Sequence, residues 1–527
     1  MNTIKDLRHL VSTGKMTRRE FIARVSALGA AATLSPALFT RTASALTPKK
    51  GGLFRLGMAG GATSDSLEPG KLTDHVAMVV QYQFRNNLVE LDHEGKAIPE
   101  LAESWEPSSD ASQWVFKIRK GVEFHNGKSL TSEDVLYSIN FHRGENSKSA
   151  GKKQLESIID LKADDKHTIV VTLNGGNADF PYILSDIHFP IIPAGDKEFR
   201  TGTGAFNLVE FEPGVRAFVK RNPNYWKAGR AHFDEIETLV LNDTVSRTNA
   251  LKSGQIDAMN RCDLKTAHLL KKTPGLQLIR KTGALHYYFP MRTDTPPFDN
   301  IDARLALKYA VNRQALLDLI LKGYGALGND QPIAPTYRFY NPDLPQRRYD
   351  PDKAKFHLKK AGMEQQVFKL HASNAAFAGG MDAAVLFKEA ANKAGVKMEI
   401  VQEPSDGYWS NVWMKKPWSM SYLSGRPTED MIFSLQYAKG AAWNDTFWDN
   451  ERFNKLLIEA RSELDQSKRR EMYAEMQGLI RNDGGIVLPF FADIVDAGGK
   501  QLKFGNLSGQ SSLDGFRCSE RWWFEST

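Results

Sequence analysis

At 527 residues the chain exceeds what one compact core accommodates, and about 150 residues per unit points to three or four structural units. Hydrophobic residues make up 41%, aromatic residues 10% and charged residues 25%, ordinary globular usage that excludes a disordered, collagen-like or many-span membrane chain. The net charge of +7 is concentrated at the start: residues 1–45 hold seven Lys/Arg against two Asp/Glu, leaving 62 basic and 60 acidic residues in the rest, with no electrostatic footprint for nucleic acid.

Lys5, Arg8, Lys15, Arg18, Arg19 and Arg24 precede an apolar stretch from Val25 to Phe39, followed by Ala43-Ser44-Ala45. This is the layout of a secretory signal peptide. The stretch is fifteen residues long and interrupted by Gly29 and Pro36, short of the roughly 20 residues a membrane-crossing helix needs. Thr17-Arg18-Arg19-Glu20-Phe21-Ile22 resembles the twin-arginine export signal; an ordinary Sec signal with chance arginines is the alternative. The expectation is a removable leader over 1–45, a mature chain from Leu46 and a periplasmic location. Only Cys262 and Cys518 occur, so at most one disulfide can form, and two buried free thiols are the other reading.

Trp114, Phe116 and Ile118 alternate with Val115, Lys117 and Arg119, the period of a half-buried strand, and Val122 with Phe124 repeats it. Asn126-Gly127 suits a tight turn, so paired strands with a short reversal are expected here. Thr131 with Asp134 reads as a helix start, Leu130 clasping Val135 from outside and Ile139 extending the apolar stripe. Asp302 is expected to cap one helix carrying Leu305, Tyr309, Leu316 and Ile320 on a face and ending near Gly323. Another helix begins near Pro351, buries Ala354 and Leu358, and stops at Gly362. Val367 to Leu370 and Val396 to Val401 read as strands around a helix at 381–394, a strand–helix–strand unit, and 451–465 and 468–482 as amphipathic helices. The fold class is α/β. No internal repeat or low-complexity tract marks a boundary.

Sites of chemistry are scarce. His93-Glu94 lacks a second His four positions after the first, and no His cluster has ligand spacing, so neither metal ligation nor a cofactor is expected. Gly202-Thr203-Gly204 has Asn207 where a dinucleotide fingerprint needs glycine, and Gly121 to Ser129 misses phosphate-loop spacing by one residue. No Gly-x-Ser-x-Gly elbow occurs.

The segment from Pro99 to Ile139 contains Pro99-Glu100-Leu101-Ala102-Glu103-Ser104-Trp105, Phe116-Lys117-Ile118-Arg119-Lys120-Gly121-Val122-Glu123-Phe124-His125-Asn126-Gly127 and Leu130-Thr131-Ser132-Glu133-Asp134-Val135. It resembles the family 5 extracellular solute-binding proteins, the large peptide- and nickel-type receptors of ABC importers. Later strings fall in the same order: Gly202-Thr203-Gly204-Ala205-Phe206, Arg221-Asn222-Pro223-Asn224-Tyr225-Trp226, Ala250-Leu251-Lys252-Ser253-Gly254-Gln255-Ile256-Asp257 and Tyr349-Asp350-Pro351-Asp352-Lys353-Ala354. The resemblance implies a two-lobed periplasmic-binding-protein fold of the cluster C type. Its first lobe would combine residues 46–80, 200–284 and 499–527, its extra subdomain 81–199, and its second lobe 285–498. It further implies a monomer without catalysis or cofactor that closes over a small organic ligand and delivers it to ABC transporter permease subunits.

For the ligand, the resemblance implies a peptide or peptide-like solute. Peptide-binding relatives place an aspartate in the second lobe where this chain has Ser424, and Arg426 stands two residues on. That departure favours, as an alternative, a non-peptide anion such as an opine-like conjugate or a phosphorylated sugar, because a guanidinium fork matches carboxylate or phosphate oxygens. The competing structural reading pairs Arg426 with Glu429 or Asp430. Tyr408, Trp409, Trp413, Trp418 and Tyr422 crowd one short stretch, with Trp443 and Trp448 following. Tyr422 and Trp418 are candidate ligand-facing aromatics against a core-packing alternative. Asn374 and Phe377 match a region that faces ligand in relatives. Nickel chelates and haem are rival ligands; a secreted hydrolase using the cleft, or a periplasmic chaperone or signalling partner, are rival classes.

Overall fold

The computed structural model describes residues 48–526; the leader expected over 1–45, with its arginine pair and cleavage position, lies outside the described residues. Among the described residues, no helix is long and apolar enough to cross a membrane.

Two long strands tie the molecule together. Leu276–Pro290 and Ile486–Gly499 pair antiparallel, from Leu276 opposite Gly499 to Pro290 opposite Ile486. At 15 and 14 residues each reaches about 45 Å at 3.3 Å per residue, long enough to enter two separate cores. At one end Leu276, Val495 and Ala497 pack with Leu251 and Met259. At the other, Phe289, Val487 and Phe490 pack with Ala306, Leu370 and Trp418.

On the first side the nine-stranded sheet continues through Ala258–Met259, Leu53–Met58 and Glu235–Val240, the last three mutually parallel. The helix His75–Phe84 covers it, burying Val76, Val79, Val80 and Phe84 against Phe54 and Leu56. On the second side, Val367–Ala372 and Lys397–Gln402 pair in parallel around the helix Gly380–Lys393, the expected strand–helix–strand unit. A third core serves a four-stranded antiparallel sheet in the order Ala102–Pro107, Gln113–Ile118, Thr168–Leu173, Ile158–Asp165. The architecture is α/β with two lobes joined by the long pair.

Local expectations mostly hold. Trp114, Phe116 and Ile118 are buried while Lys117 is exposed, and the helix Ser132–Phe141 starts where the Asp134 carboxylate accepts from the Thr131 N–H at 3.0 Å. The helix Pro351–Ala361 is capped by Asp350 and ends on Gly362 at φ 67°. The expected pairing after Val122 shrinks to a single bridge, Glu123 opposite Ser129, around Gly127 at φ 82°.

The region after residue 300 departs from expectation. Asn300, not Asp302, caps the helix, its side chain accepting from the Asp302 N–H at 2.8 Å. Asp302 points instead to His357 and Lys360. The expected single helix is two, Ile301–Ala310 and Arg313–Ile320, because Asn312 starts a new one by accepting from the Ala315 N–H. Ala303, Ala306, Leu307 and Ala310 form the buried stripe, while Leu305 and Tyr309 are half-buried.

Glu100, in the first of the resemblance-bearing strings, sits at the centre of one buried ion network. Glu100 accepts from the Asn87 N–H at 3.0 Å, from Lys227 Nζ at 2.8 Å and from Arg517 at 2.8 and 3.0 Å. Lys227 also meets Glu90 at 2.6 Å and Glu520 at 3.1 Å. Three carboxylates whose oxygens lie within 4.8 Å of one another are thus held together by Lys227 and Arg517, and a lysine stands where a shared cation would sit. Breaking one partner of such a buried set leaves an uncompensated charge, at a cost of about 3–5 kcal/mol.

Candidate functional site: a cavity at the hinge

The register of the two long strands slips between Thr282 and His286. The slip leaves a local kink where the strands pass from one lobe to the other. Gly283 lies in it, where a Cβ would stand 3.1 Å from the Ala492 carbonyl oxygen. A cavity of about 830 Å³ opens at this point, floored by Gly283 to Leu285 and Ala492 to Val495. His75, Arg261 and the loop 508–517 form one wall; Tyr422 to Pro427 form the other. Both lobes therefore contribute to one shared space, and a molecule held there touches both only when they are together.

Apart from Arg426, most of the charged groups lining the cavity are compensated. Arg261 lies 3.4 Å from Asp74, and Asp186 lies 2.6 Å from His188. Asp493 is paired with Arg280, and Arg517 is drawn into the Glu100 network. His75 is pushed down to about 4 by burial and by Arg261, so its imidazole is neutral at pH 7.

Arg426 on the opposite wall differs. Nη1 donates to its own loop, to the Ser424 carbonyl at 3.0 Å and the Gly425 carbonyl at 3.1 Å. Tyr337 clamps the same residue from below, its hydroxyl accepting from the Arg426 N–H at 2.9 Å and donating to the Arg426 carbonyl at 2.8 Å. The ion pair expected with Glu429 or Asp430 does not form: Glu429 meets Arg338 at 3.3 Å and Asp430 meets Arg461 at 3.1 Å. Among the described residues, no carboxylate lies within ion-pair distance of Arg426, and burial lowers its basicity. A guanidinium fixed by its own loop and left without a counter-charge in a cavity is a site for an anionic group.

Of the residues singled out from sequence, Arg426, Ser424 and Tyr422 line this cavity. Trp418 does not. It is fully buried in the second-lobe core, its ring 5.8 Å from Phe298 and 5.6 Å from Phe387, because it follows the helix Tyr408–Asn411 inward and leads into the strand Ser421–Leu423. Phe377 is also buried and reaches the site only through Tyr287, against which it packs at 4.5 Å. The Asn374 side chain turns away to accept from the Met381 N–H at 3.1 Å. Among the other aromatics, Tyr408 and Trp448 are core residues, whereas Trp409 and Trp443 are 40% and 42% exposed; Trp409 meets Tyr422 edge-on, and Trp413 links Trp409 to Trp443 in the same way.

Sequence reasoning did not find Asp74, His75, Arg261 or the 508–517 loop. They come from segments separated by more than four hundred residues at the extreme and meet only through the sheet. Their local sequences carry no signal beyond single charged residues.

Residues 96–445 match the family model described as bacterial extracellular solute-binding proteins, family 5 Middle. The chain is 31% identical over 311 residues to a protein named heme-binding protein A from Haemophilus influenzae, covering 53% of this chain and a little over half, 56%, of that relative. It is 27% identical over 480 residues to the glutathione-binding protein GsiB of Pectobacterium atrosepticum, covering 84% of this chain and 90% of that one. The solved structure of HbpA2 from Haemophilus parasuis superposes with a TM-score of 0.80 at 20% identity, covering 90% of this chain and all of that one. With the family model matched over well over half the chain, two lobes on a shared strand pair and a cavity between them, this chain belongs to the family 5 bacterial extracellular solute-binding proteins.

Proposed function

We propose that the protein is a periplasmic receptor that closes over a peptide-like solute bearing a carboxylate and hands it, unaltered, to the permease of an ABC importer. The observation that carries the ligand class is the uncompensated Arg426 fork on the cavity wall, two residues beyond Ser424. A carboxylate placed there gains a charge-assisted pair that solvent cannot fully replace once the lobes have closed. The solute-binding relatives named for peptides and for glutathione support the reading. Ser424 supports a second one, a non-peptide anion, since no carboxylate stands at that position to meet an amino group.

In this reading the first lobe comprises 46–80, 200–284 and 499–527, the extra subdomain 81–199 and the second lobe 285–498. The chain acts as a monomer, is exported by a twin-arginine-type leader over 1–45, and performs no catalysis. Native mass spectrometry of the purified protein, followed by denaturing release, identifies any carried-over solute. Calorimetry with glutathione and with dialanine then tests the class: wild type binds at least one, and Arg426→Ala weakens it about tenfold or more. Unchanged affinity in that variant dismisses the role given to the fork.

A further inference from the structure

The space between the lobes does not end at the hinge cavity. A second cavity of about 1010 Å³ is bounded by His93 and Lys96, by Tyr337 and Arg470, and by Lys281 on the long strand. The two share their scaffolding. Lys281 and Thr282 face the second cavity where Gly283 to Leu285 face the first, and Asn506 and Leu507 line the second where Ser508 to Ser512 line the first. Tyr337 stands between them, lining the second cavity while its hydroxyl braces Arg426 of the first.

The charge of this second chamber is not balanced internally. Lys96 is spent on Glu94 at 2.7 Å, and Arg338 on Asp179 and Glu429 at 3.0 and 3.3 Å. Lys281 acts on Glu94 only at longer range. Among the described residues, neither Lys281 nor Arg470 makes an ion pair or a side-chain hydrogen bond; Arg470 rests over the Phe339 ring at 5.5 Å. Two cations, Lys281 half-buried and Arg470 exposed, therefore face one chamber with no counter-charge in contact, since the chamber's own carboxylate, Glu94, is held by Lys96.

We propose that the second chamber is an anion subsite. The receptor then prefers an extended solute with two separated anionic groups, one met by Arg426 and the other by Lys281 and Arg470. This rests on the peptide-like reading above and narrows it. Lys281 and Ala284 stand three residues apart on the long strand, about 10 Å at 3.3 Å per residue, the reach of about three extended peptide residues. A solute with a single anionic end satisfies one chamber and leaves the other cation pair facing water.

The test compares succinyl-trialanine, which carries a carboxylate at each end, with acetyl-trialanine, which carries one, by calorimetry on the mature protein. Wild type is expected to bind the succinyl peptide about tenfold more tightly. The Lys281→Ala/Arg470→Ala double variant should lose that preference to within about twofold, keep its affinity for the acetyl peptide, and melt with wild type. A Lys281→Arg/Arg470→Lys variant should retain the preference. Equal binding of the two peptides by wild type, or a preference that survives in the alanine double variant, overturns the second subsite and leaves the receptor reading intact. Failure of both peptides to bind at millimolar concentration overturns the peptide-like reading and this inference with it.

Discussion

Asp179 meets Arg469 across 290 residues of chain, Nη1 donating to Oδ1 at 2.9 Å and Nη2 lying 2.8 Å from Oδ2. Asp179 sits between Ala178 and Phe180, which pack with the core of the four-stranded sheet, whereas Arg469 lies on the helix Gln466–Asp483 of the second lobe. Arg338, stacked 4.0 Å over the Tyr182 ring, adds a contact to Asp179 at 3.0 Å. All three groups are nearly solvent-free, so the subdomain is locked to the second lobe by a charge that needs two cations.

Asp179→Asn is therefore expected to lower the unfolding free energy by about 3–5 kcal/mol, because it leaves the buried Arg469 guanidinium without a carboxylate and Arg338 with Glu429 alone. Burial raises the Asp179 carboxyl, but Arg338 and Arg469 outweigh it and bring the group down to about 2. The unfolded value is about 3.9, so the stabilisation is complete above about pH 4 and is lost as pH falls toward 2. Urea titrations at pH 7 and pH 3 check both points; an asparagine variant within 1 kcal/mol of wild type at pH 7 would refute the lock.

Trp418 separates packing from ligand contact. Its burial between Phe298 and Phe387 predicts that Trp418→Ala costs about 3–5 kcal/mol of stability. Tyr422, 45% exposed on the cavity wall, predicts the reverse: Tyr422→Ala changes the melting temperature little and weakens binding of a carried-over solute. Measuring both properties in both variants decides it. A Trp418 variant that melts with wild type would place the indole outside the core.

Where a structural signal is local, the chain spells it out. Thr131 with Asp134, Asp350 before Pro351, and Gly362 at φ 67° each act within one helical turn, and alternation at 114–118 needs only neighbouring strands to become a buried face. The helix break at Val311 and Asn312 was not legible, because the amphipathic period runs through it and only the Asn312 cap interrupts the hydrogen-bond ladder. The site divides the same way. Tyr422, Ser424 and Arg426 follow one another at the end of the strand Ser421–Leu423 and in the loop after it, and could be picked out together through the family resemblance. Arg261, Asp74 and Ser512 become neighbours only after the parallel strands Leu53–Met58 and Ala258–Met259 and the long pair have formed. The aromatic cluster misled for a related reason: composition locates Trp418 and Trp409 in the same stretch, but backbone direction sends one to the core and the other to the surface.

The two thiols offer a direct chemical check. Cys262 and Cys518 are free and buried, and burial holds both above the ordinary thiol range, with Asp496 and the neighbouring aspartates acting in the same direction. Thiolate is the reactive form, so an aromatic disulfide reagent at pH 8 is expected to label neither cysteine in the native protein and both in guanidinium. Absence of labelling in denaturant would reveal a disulfide instead.

Asp496 joins the two first-lobe segments that line the hinge cavity. Its Oδ1 accepts from the Arg261 N–H at 3.2 Å and its Oδ2 from the Leu513 N–H at 2.6 Å. Arg261 and Leu513 hold φ of 51° and 53°, a region that costs a non-glycine residue about 1 kcal/mol or more unless the surroundings enforce it. Burial raises the Asp496 carboxyl to about 7, against the pull of those two N–H donors. The unfolded group titrates near 3.9. Between about pH 4 and 7 the folded protein keeps a proton that the unfolded chain has lost, so this group makes stability fall as pH rises through that window, by at most about 4 kcal/mol. Asp496→Asn cannot titrate and should remove that part of the slope, most visibly between pH 5 and 7. It should also weaken binding of a carried-over solute, because an amide group can accept from only one of the two N–H donors and the other segment relaxes. Urea unfolding of both proteins across this range, with calorimetry at pH 7, measures the two effects. Parallel stability profiles together with unchanged affinity would show that Asp496 neither titrates in this window nor shapes the cavity.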